Sequence, residues 1–231
     1  PLEMPCPPNI IHLRPPCAPI NVSPLEKTSP NQAEKWGGAP PQNRLFFITP
    51  SPAVIANQSA IFYPPQSQRV DYEGELALVI GDRCVDCTEA DAREKIWGYT
   101  IANDVTARDL QRRDSQWTRA KGFDSFCPLG PWIVREISAA ARIQSFLNDL
   151  PEPVQSATID DMVFKPAVLV AYISQIMTLL PGDVVLTGTP EGVGPLQIGD
   201  RIRIEVEGIG SLENTVEARV LPPVPISLGR S

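Results

Sequence analysis

The chain has 231 residues, 42% of them hydrophobic and 20% charged, with a net charge of −7 and one histidine, His12. A single domain of this size buries roughly 70–75% of the surface its unfolded chain exposes, so its core needs no disulfide or structural metal. Residues 71–231 carry 24 Asp/Glu against 15 Lys/Arg; no basic stripe is left to neutralise phosphates, which argues against nucleic acid as a partner.

Fifteen of the 26 prolines fall in residues 1–65, too dense a distribution for helices or central strands. Residues 14–44 show neither helical nor alternating periodicity and read as an irregular segment. Short strands are expected at 45–50 (LFFITP) and 53–64 (AVIANQSAIFYP). The opening PLEMPCPPNI has no positively charged leader followed by an apolar run, which predicts a cytoplasmic protein. Of the five cysteines, only Cys84 and Cys87 have C-x-x-C spacing. With no second pair or histidine nearby, they read as ordinary reduced thiols.

From Val70 the pattern becomes that of a packed domain. GELALVIG (74–81) is an uninterrupted apolar run, the signature of a strand buried on both faces. TEADAREKIWG (88–98) predicts a helix with Thr88 as cap, Asp91 three residues on, and Gly98 as its end. Strands follow at 99–107 and 124–134, and a helix from Pro166 to about Leu180, before Pro181-Gly182. That apolar stretch is shorter than the roughly 20 residues a bilayer requires, so no membrane association is expected. Strands at 183–188, 200–208 and 211–220 complete the chain. Clustered strands with few helices predict an α+β fold, mostly β.

Glu73 and Glu75 stand at i and i+2 at the head of the buried strand, so both side chains point to one face. Two carboxylates on an otherwise apolar strand repel unless neutralised, and a divalent cation neutralises them. Asp104 interrupts a second apolar strand, and Lys121 lies in the polar stretch WTRAKGFDSF. Ligation by oxygen alone favours Mg²⁺, then Mn²⁺ or Ca²⁺. Taken alone, an E-x-E on a strand is more often part of a solvated face. GTPEGVG (188–194) lacks the Lys-Ser/Thr ending of a phosphate-binding loop. Its N–H groups and the Thr187 and Thr189 hydroxyls remain candidates for holding a carboxylate or enolate oxygen, and a plain tight turn is the simpler reading.

As a set, DYEGELALVIG (71–81), NDVTARDLQ (103–111), W-T-x-A-K-x-F-D-x-x-x-P-x-G-P-W (117–132), ISQIMTLLPGDVVLTGTPEGVG (173–194) and GDRIRIEVEGIGSLENTV (199–216) closely resemble the fumarylacetoacetate hydrolase family. The resemblance implies a mixed β-roll that dimerises, here a homodimer, with a catalytic domain over 46–221. Outside it lie a proline-rich segment or lid (1–45) and a C-terminal tail (222–231). It also implies that Glu73, Glu75 and Asp104 hold Mg²⁺, that Lys121 lies beside the metal, and that Arg108, Gln111 and Thr189 face the substrate. Family activities include acylpyruvate hydrolysis, oxaloacetate decarboxylation and hydroxymuconate-type isomerisation, so the implied substrate is a small 2-oxo acid turned over through a metal-stabilised enolate. One departure stands out: the N-Y-x-x-H-x-x-E segment whose His–Glu pair activates water is missing, and His12 lies ahead of that position as a weak replacement for the base. The alternative is a catalytically impaired member that binds Mg²⁺ and an oxo acid without hydrolysing it.

Overall fold

The computed structural model describes residues 46–220 and the backbone of residues 22–24. The expectations for residues 1–45 and 222–231, His12 included, therefore lie outside the described residues, except at Val22–Pro24. In chain order the elements are β1 (Val22–Pro24), β2 (Val54–Ile55), β3 (Ala60–Tyr63), β4 (Val70–Tyr72), β5 (Gly74–Ile80), α1 (Glu89–Lys95), β6 (Ile96–Asn103), β7 (Thr106–Ala107), α2 (Arg108–Arg113), α3 (Thr118–Lys121), β8 (Cys127–Val134), β9 (Arg142–Leu147), β10 (Gln155–Thr158), α4 (Pro166–Ser174), β11 (Val184–Leu186), β12 (Gly194–Leu196), β13 (Arg201–Val206) and β14 (Gly210–Ala218). They form a six-stranded sheet β1-β11-β5-β6-β8-β2, a five-stranded sheet β10-β9-β13-β14-β3 and a three-stranded sheet β12-β4-β7. Parallel pairs (β1 with β11, β2 with β8, β14 with β3) occur among antiparallel ones, so the roll is mixed. The mostly-β α+β expectation holds.

The apolar run of β5 explains the layering. All seven of its residues are buried. Leu76, Leu78 and Ile80 enter the large core between the two main sheets, where Ile202, Ile204 and Leu212 meet them from the five-stranded sheet. Ala77 and Val79 enter a smaller core with Ala102, Leu129, Val184 and Leu186. Side chains alternate along a strand, so Glu73 and Glu75 share the face of Ala77 and Val79.

Several boundaries differ from expectation, each because tertiary pairing overrode local signals. The Thr88–Asp91 capping box is present, but the helix ends at Lys95 and Ile96–Gly98 join β6, paired with Val79 and Ile80. Gly98 is therefore no helix stop. A Cβ there would lie 2.5 Å from the Val134 carbonyl oxygen and 2.6 Å from Ile133 Cγ2, so glycine is required for close approach of β6 to β8. Gly98→Ala is expected to cost about 1–3 kcal/mol, the usual penalty for overpacking; an unchanged urea midpoint would contradict the close approach. Helix α4, expected to reach about Leu180, ends at Ser174, because Leu179 bridges to Cys84. Of the strand expected at 45–50, the described residues 46–50 contribute only bridge positions at Phe46 and Thr49, and 53–64 splits into two short strands. Within the segment read as irregular, Val22–Pro24 forms an edge strand beside β11. Cys84 and Cys87, expected as free thiols, are joined as a disulfide with Cα atoms 6.1 Å apart. Cys84 is tied by backbone bonds to Leu179, and Asp86 N–H and Cys87 N–H donate to Ser174, which holds the two cysteines at bridging distance. Among the described residues no helix is long and apolar enough to cross a membrane.

Candidate active site

The antiparallel register of β5 and β6 assembles the acidic cluster. Gly74 pairs with Asn103, and Asp104 N–H donates to the Glu73 carbonyl at 2.9 Å. The head of one strand thus meets the tail of its neighbour. Glu73, Glu75 and Asp104 are 5%, 2% and 1% exposed, and each offers an oxygen within 4.8 Å of the others.

Two cations reach this cluster from the helices that follow β7. Lys121, in the last turn of α3, is fully buried; its Nζ donates to Glu73 Oε2 at 3.0 Å and to Asp104 Oδ2. The ammonium lies 5.1 Å from the centre of the Phe47 ring, whose edge contact with Trp117 fixes its orientation. Arg108 opens α2 and is fully bonded along its fork: Nε to Asp71 at 3.0 Å, Nη2 to Glu73 at 2.5 Å and Nη1 to Gln111 Oε1 at 2.7 Å. The residues singled out in the sequence, apart from His12, are therefore brought together in one place.

The carboxylates differ in their surroundings. Burial pushes the Glu73 carboxyl up, but Lys121 and Arg108 outweigh it and hold the group below its ordinary value of 4.5. Burial pushes Glu75 up too, and the Asp104 and Glu73 charges add to it; Lys121 and the Gly188 N–H offset little, so Glu75 stands well above 4.5. The Gly188 bond is 2.7 Å long. A buried carboxyl short of positive charge, beside two others, marks the place where a cation fits. Three oxygen donors at this spacing suit a hard divalent ion, Mg²⁺ or Mn²⁺. The residues thus fit such an ion on their own geometry.

Thr189 lies in the loop after β11 next to Glu75, and its hydroxyl donates to the Gly74 carbonyl at 2.9 Å. Thr187 does the same to the Leu76 carbonyl at 2.9 Å. Both hydroxyl protons therefore bind the loop to β5. On the Leu76 side of β5, a cavity of about 330 Å³ is bounded by this loop, Ile143 and Met162. Glu73, Glu75, Asp104 and Lys121 do not line it; the acidic cluster, where the carboxylates and the buried lysine meet, is the candidate site.

Two contributors escaped the sequence reading. Asp71, 1% exposed, holds both Arg108 and Arg69. Its signal was present, since Asp71, Glu73 and Glu75 are spaced by two and share a face. Gln155, 2% exposed, stands in an unpatterned stretch and carried no signal of its own.

Residues 24–217 match the family described as "Fumarylacetoacetate (FAA) hydrolase C-terminal". The fold is similar to 5-carboxymethyl-2-hydroxymuconate delta-isomerase from Mycobacterium smegmatis, with a TM-score of 0.84 and 44% identity, covering 91% of this chain and 83% of that one. It is also similar to fumarylpyruvate hydrolase from Pseudomonas aeruginosa, solved in complex with Mn²⁺ and pyruvate, with a TM-score of 0.78 and 32% identity, covering 86% and 90%. The sequence is 41% identical over 189 residues to human mitochondrial oxaloacetate tautomerase FAHD2A, covering 76% of this chain and 60% of that protein.

Proposed function

The chain belongs to the fumarylacetoacetate hydrolase family, whose members are enzymes, and from that premise we propose that it is a Mg²⁺-dependent enzyme acting on small 2-oxo acids through an enolate. Keto–enol tautomerisation or decarboxylation of oxaloacetate is the reaction the site supports best. The observation that carries this reading is the burial of the Lys121 ammonium against Glu73 and Asp104, at the edge of a three-carboxylate cluster. Glu73, Glu75 and Asp104 would hold the cation. When bound, Mg²⁺ or Mn²⁺ supplies positive charge that polarises the carboxylate and 2-oxo oxygens.

Negative charge grows on the 2-oxo oxygen as a bond to C3 breaks, and Lys121 offers a fixed positive charge there. Phe47, over that ammonium, keeps water from screening it. Arg108, locked by Asp71, Glu73 and Gln111, orients the substrate-facing side of Gln111. Thr189 meets the substrate through its backbone, because its hydroxyl proton is held by Gly74.

Tautomerisation moves one proton between C3 and the 2-oxo oxygen, and decarboxylation needs only the electron sink. Hydrolysis of an acylpyruvate needs an activated water as well. Among the described residues none is a histidine, which favours the first two. The same observation supports a second reading, a member that binds Mg²⁺ and an oxo acid without turnover. The proposal includes a homodimer with a 46–221 catalytic domain, supported by the family resemblance.

The test is turnover of oxaloacetate and acetylpyruvate side by side, with Mg²⁺ and with excess chelator. Chelator-sensitive oxaloacetate turnover without acetylpyruvate cleavage is the expected result. Cleavage of both would overturn the preference and make His12 the first candidate base. Binding of Mg²⁺ with turnover of neither would favour the impaired reading.

A further inference from the structure

The Gly188–Pro190 loop borders the acidic cluster on one side and the 330 Å³ cavity on the other. A loop bordered by an open cavity is packed on one side only, so hydrogen bonds carry much of its placement. Those bonds converge on Gln155. Its Oε1 accepts from Gly74 N at 3.0 Å and from Ser145 Oγ at 2.8 Å. Its Nε2 donates to Thr189 Oγ1 at 2.8 Å and to the Pro190 carbonyl at 3.0 Å. The amide orientation is unambiguous, because Gly74 N–H can only donate and the Pro190 carbonyl can only accept. All four of its bonding positions are filled, and it is 2% exposed.

The partners matter more than their number. Gly74 is the residue between Glu73 and Glu75, and a Cβ there would collide with Ser145 Oγ and lie 3.2 Å from Gln155 Oε1. One side chain thus grips the strand segment that carries two carboxylates and, with its other end, the loop that faces them. Thr189 closes the circuit by donating to the Gly74 carbonyl.

Building on the oxo-acid reading, we propose that Gln155 is a positioning residue that latches the Gly188–Pro190 loop to the Glu73–Glu75 strand and so sets affinity for the 2-oxo acid without setting affinity for the metal. Gln155 bonds Thr189, Pro190, Gly74 and Ser145, whereas the loop's own tie to the cluster, Gly188 N–H to Glu75 Oε2, does not pass through it. Its loss therefore frees the Thr189–Pro190 part of the loop and leaves the Gly188–Glu75 bond and the metal-holding oxygens in place.

The test uses Gln155→Glu, which keeps both acceptor bonds and cannot supply both donations, and Gln155→Met, which removes all four. Three quantities are read on the full chain: Mn²⁺ affinity alone, oxalate affinity with Mn²⁺ present, and hydrogen exchange of the amides at 187–190. In Gln155→Glu, Mn²⁺ affinity should change little while oxalate weakens about tenfold, the size of one lost bond. Exchange at 187–190 should rise by a similar factor, and by more in Gln155→Met. Unchanged oxalate affinity, or parallel loss of Mn²⁺ and oxalate, would overturn the proposal. Should the wild-type chain bind Mn²⁺ and no oxalate, the oxo-acid reading falls, and exchange alone then judges the latch: a rise supports it and no change overturns it.

Discussion

Lys121→Met is expected to lower metal-free stability by about 3–5 kcal/mol, the cost of leaving a buried ion pair without one partner, and to regain much of that when Mg²⁺ is added. An exposed ion pair would be worth about 0–1 kcal/mol; the difference arises because Lys121 is fully buried and faces two carboxylates, Glu73 and Asp104, that are themselves buried. Domains of this kind are stable by about 5–15 kcal/mol, so the variant should still fold. A divalent cation among the carboxylates replaces the missing positive charge, which is why metal rescues stability. It cannot replace the fixed charge beside the enolate oxygen, so turnover should fall by about 10²–10³ with Mg²⁺ still bound. Thermal melts with and without Mg²⁺, together with steady-state rates, check both halves. A metal-free melt equal to wild type, or an unchanged rate, would contradict the account.

Glu75→Gln is expected to do the opposite: to raise metal-free stability at neutral pH while removing stabilisation by metal. Burial, then Asp104 and Glu73, raise the folded-state value of the Glu75 carboxyl well above 4.5. Between about 4.5 and that raised value the folded chain holds a proton that the unfolded chain has released. That contribution is full below about 4.5 and is lost as pH rises through the raised value. Metal-free stability should accordingly decline with rising pH over that window. A metal ion takes the place of the proton, so stabilisation by Mg²⁺ should grow over the same window. Glutamine keeps the shape and never ionises, which flattens both dependences. Glu73 has the reverse sign: held below 4.5 by Lys121 and Arg108 against burial, its contribution is present above that value and lost below it. Melting temperatures of metal-free wild type and Glu75→Gln across this range decide the point; parallel curves would rule out the assigned role of Glu75.

The site was more legible than the fold around it, for a physical reason. Carboxylates at spacing two in an apolar strand contradict the hydrophobic pattern, and such contradictions point to chemistry. Glu73, Glu75 and Asp104 stood out in this way, whereas Lys121, in a polar stretch, was singled out only by the family resemblance. Strands β9 and β10 went unread for the same reason in reverse. Along β9, Ile143 and Ser145 are buried, and β10 begins with buried Gln155. The Ser145 and Gln155 side chains face inward because they bond each other, so the polar latch erased the alternation by which its strands would be recognised. Helices α2 and α3 are short, with buried residues limited to Leu110 in one and Ala120 and Lys121 in the other, too few to reveal a period. The end of α1 at Lys95 was hidden because the pairing of Ile96–Gly98 with β5 is not local information.

The central claim is that Glu73, Glu75 and Asp104 together hold one divalent cation, and Mn²⁺ titration of the wild-type chain against Glu75→Gln at neutral pH tests it most directly. The account predicts one ion per chain and at least a roughly 100-fold loss of affinity in the variant, since even outer-shell partners cost up to that much. Equal Mn²⁺ affinity in the two proteins would contradict it.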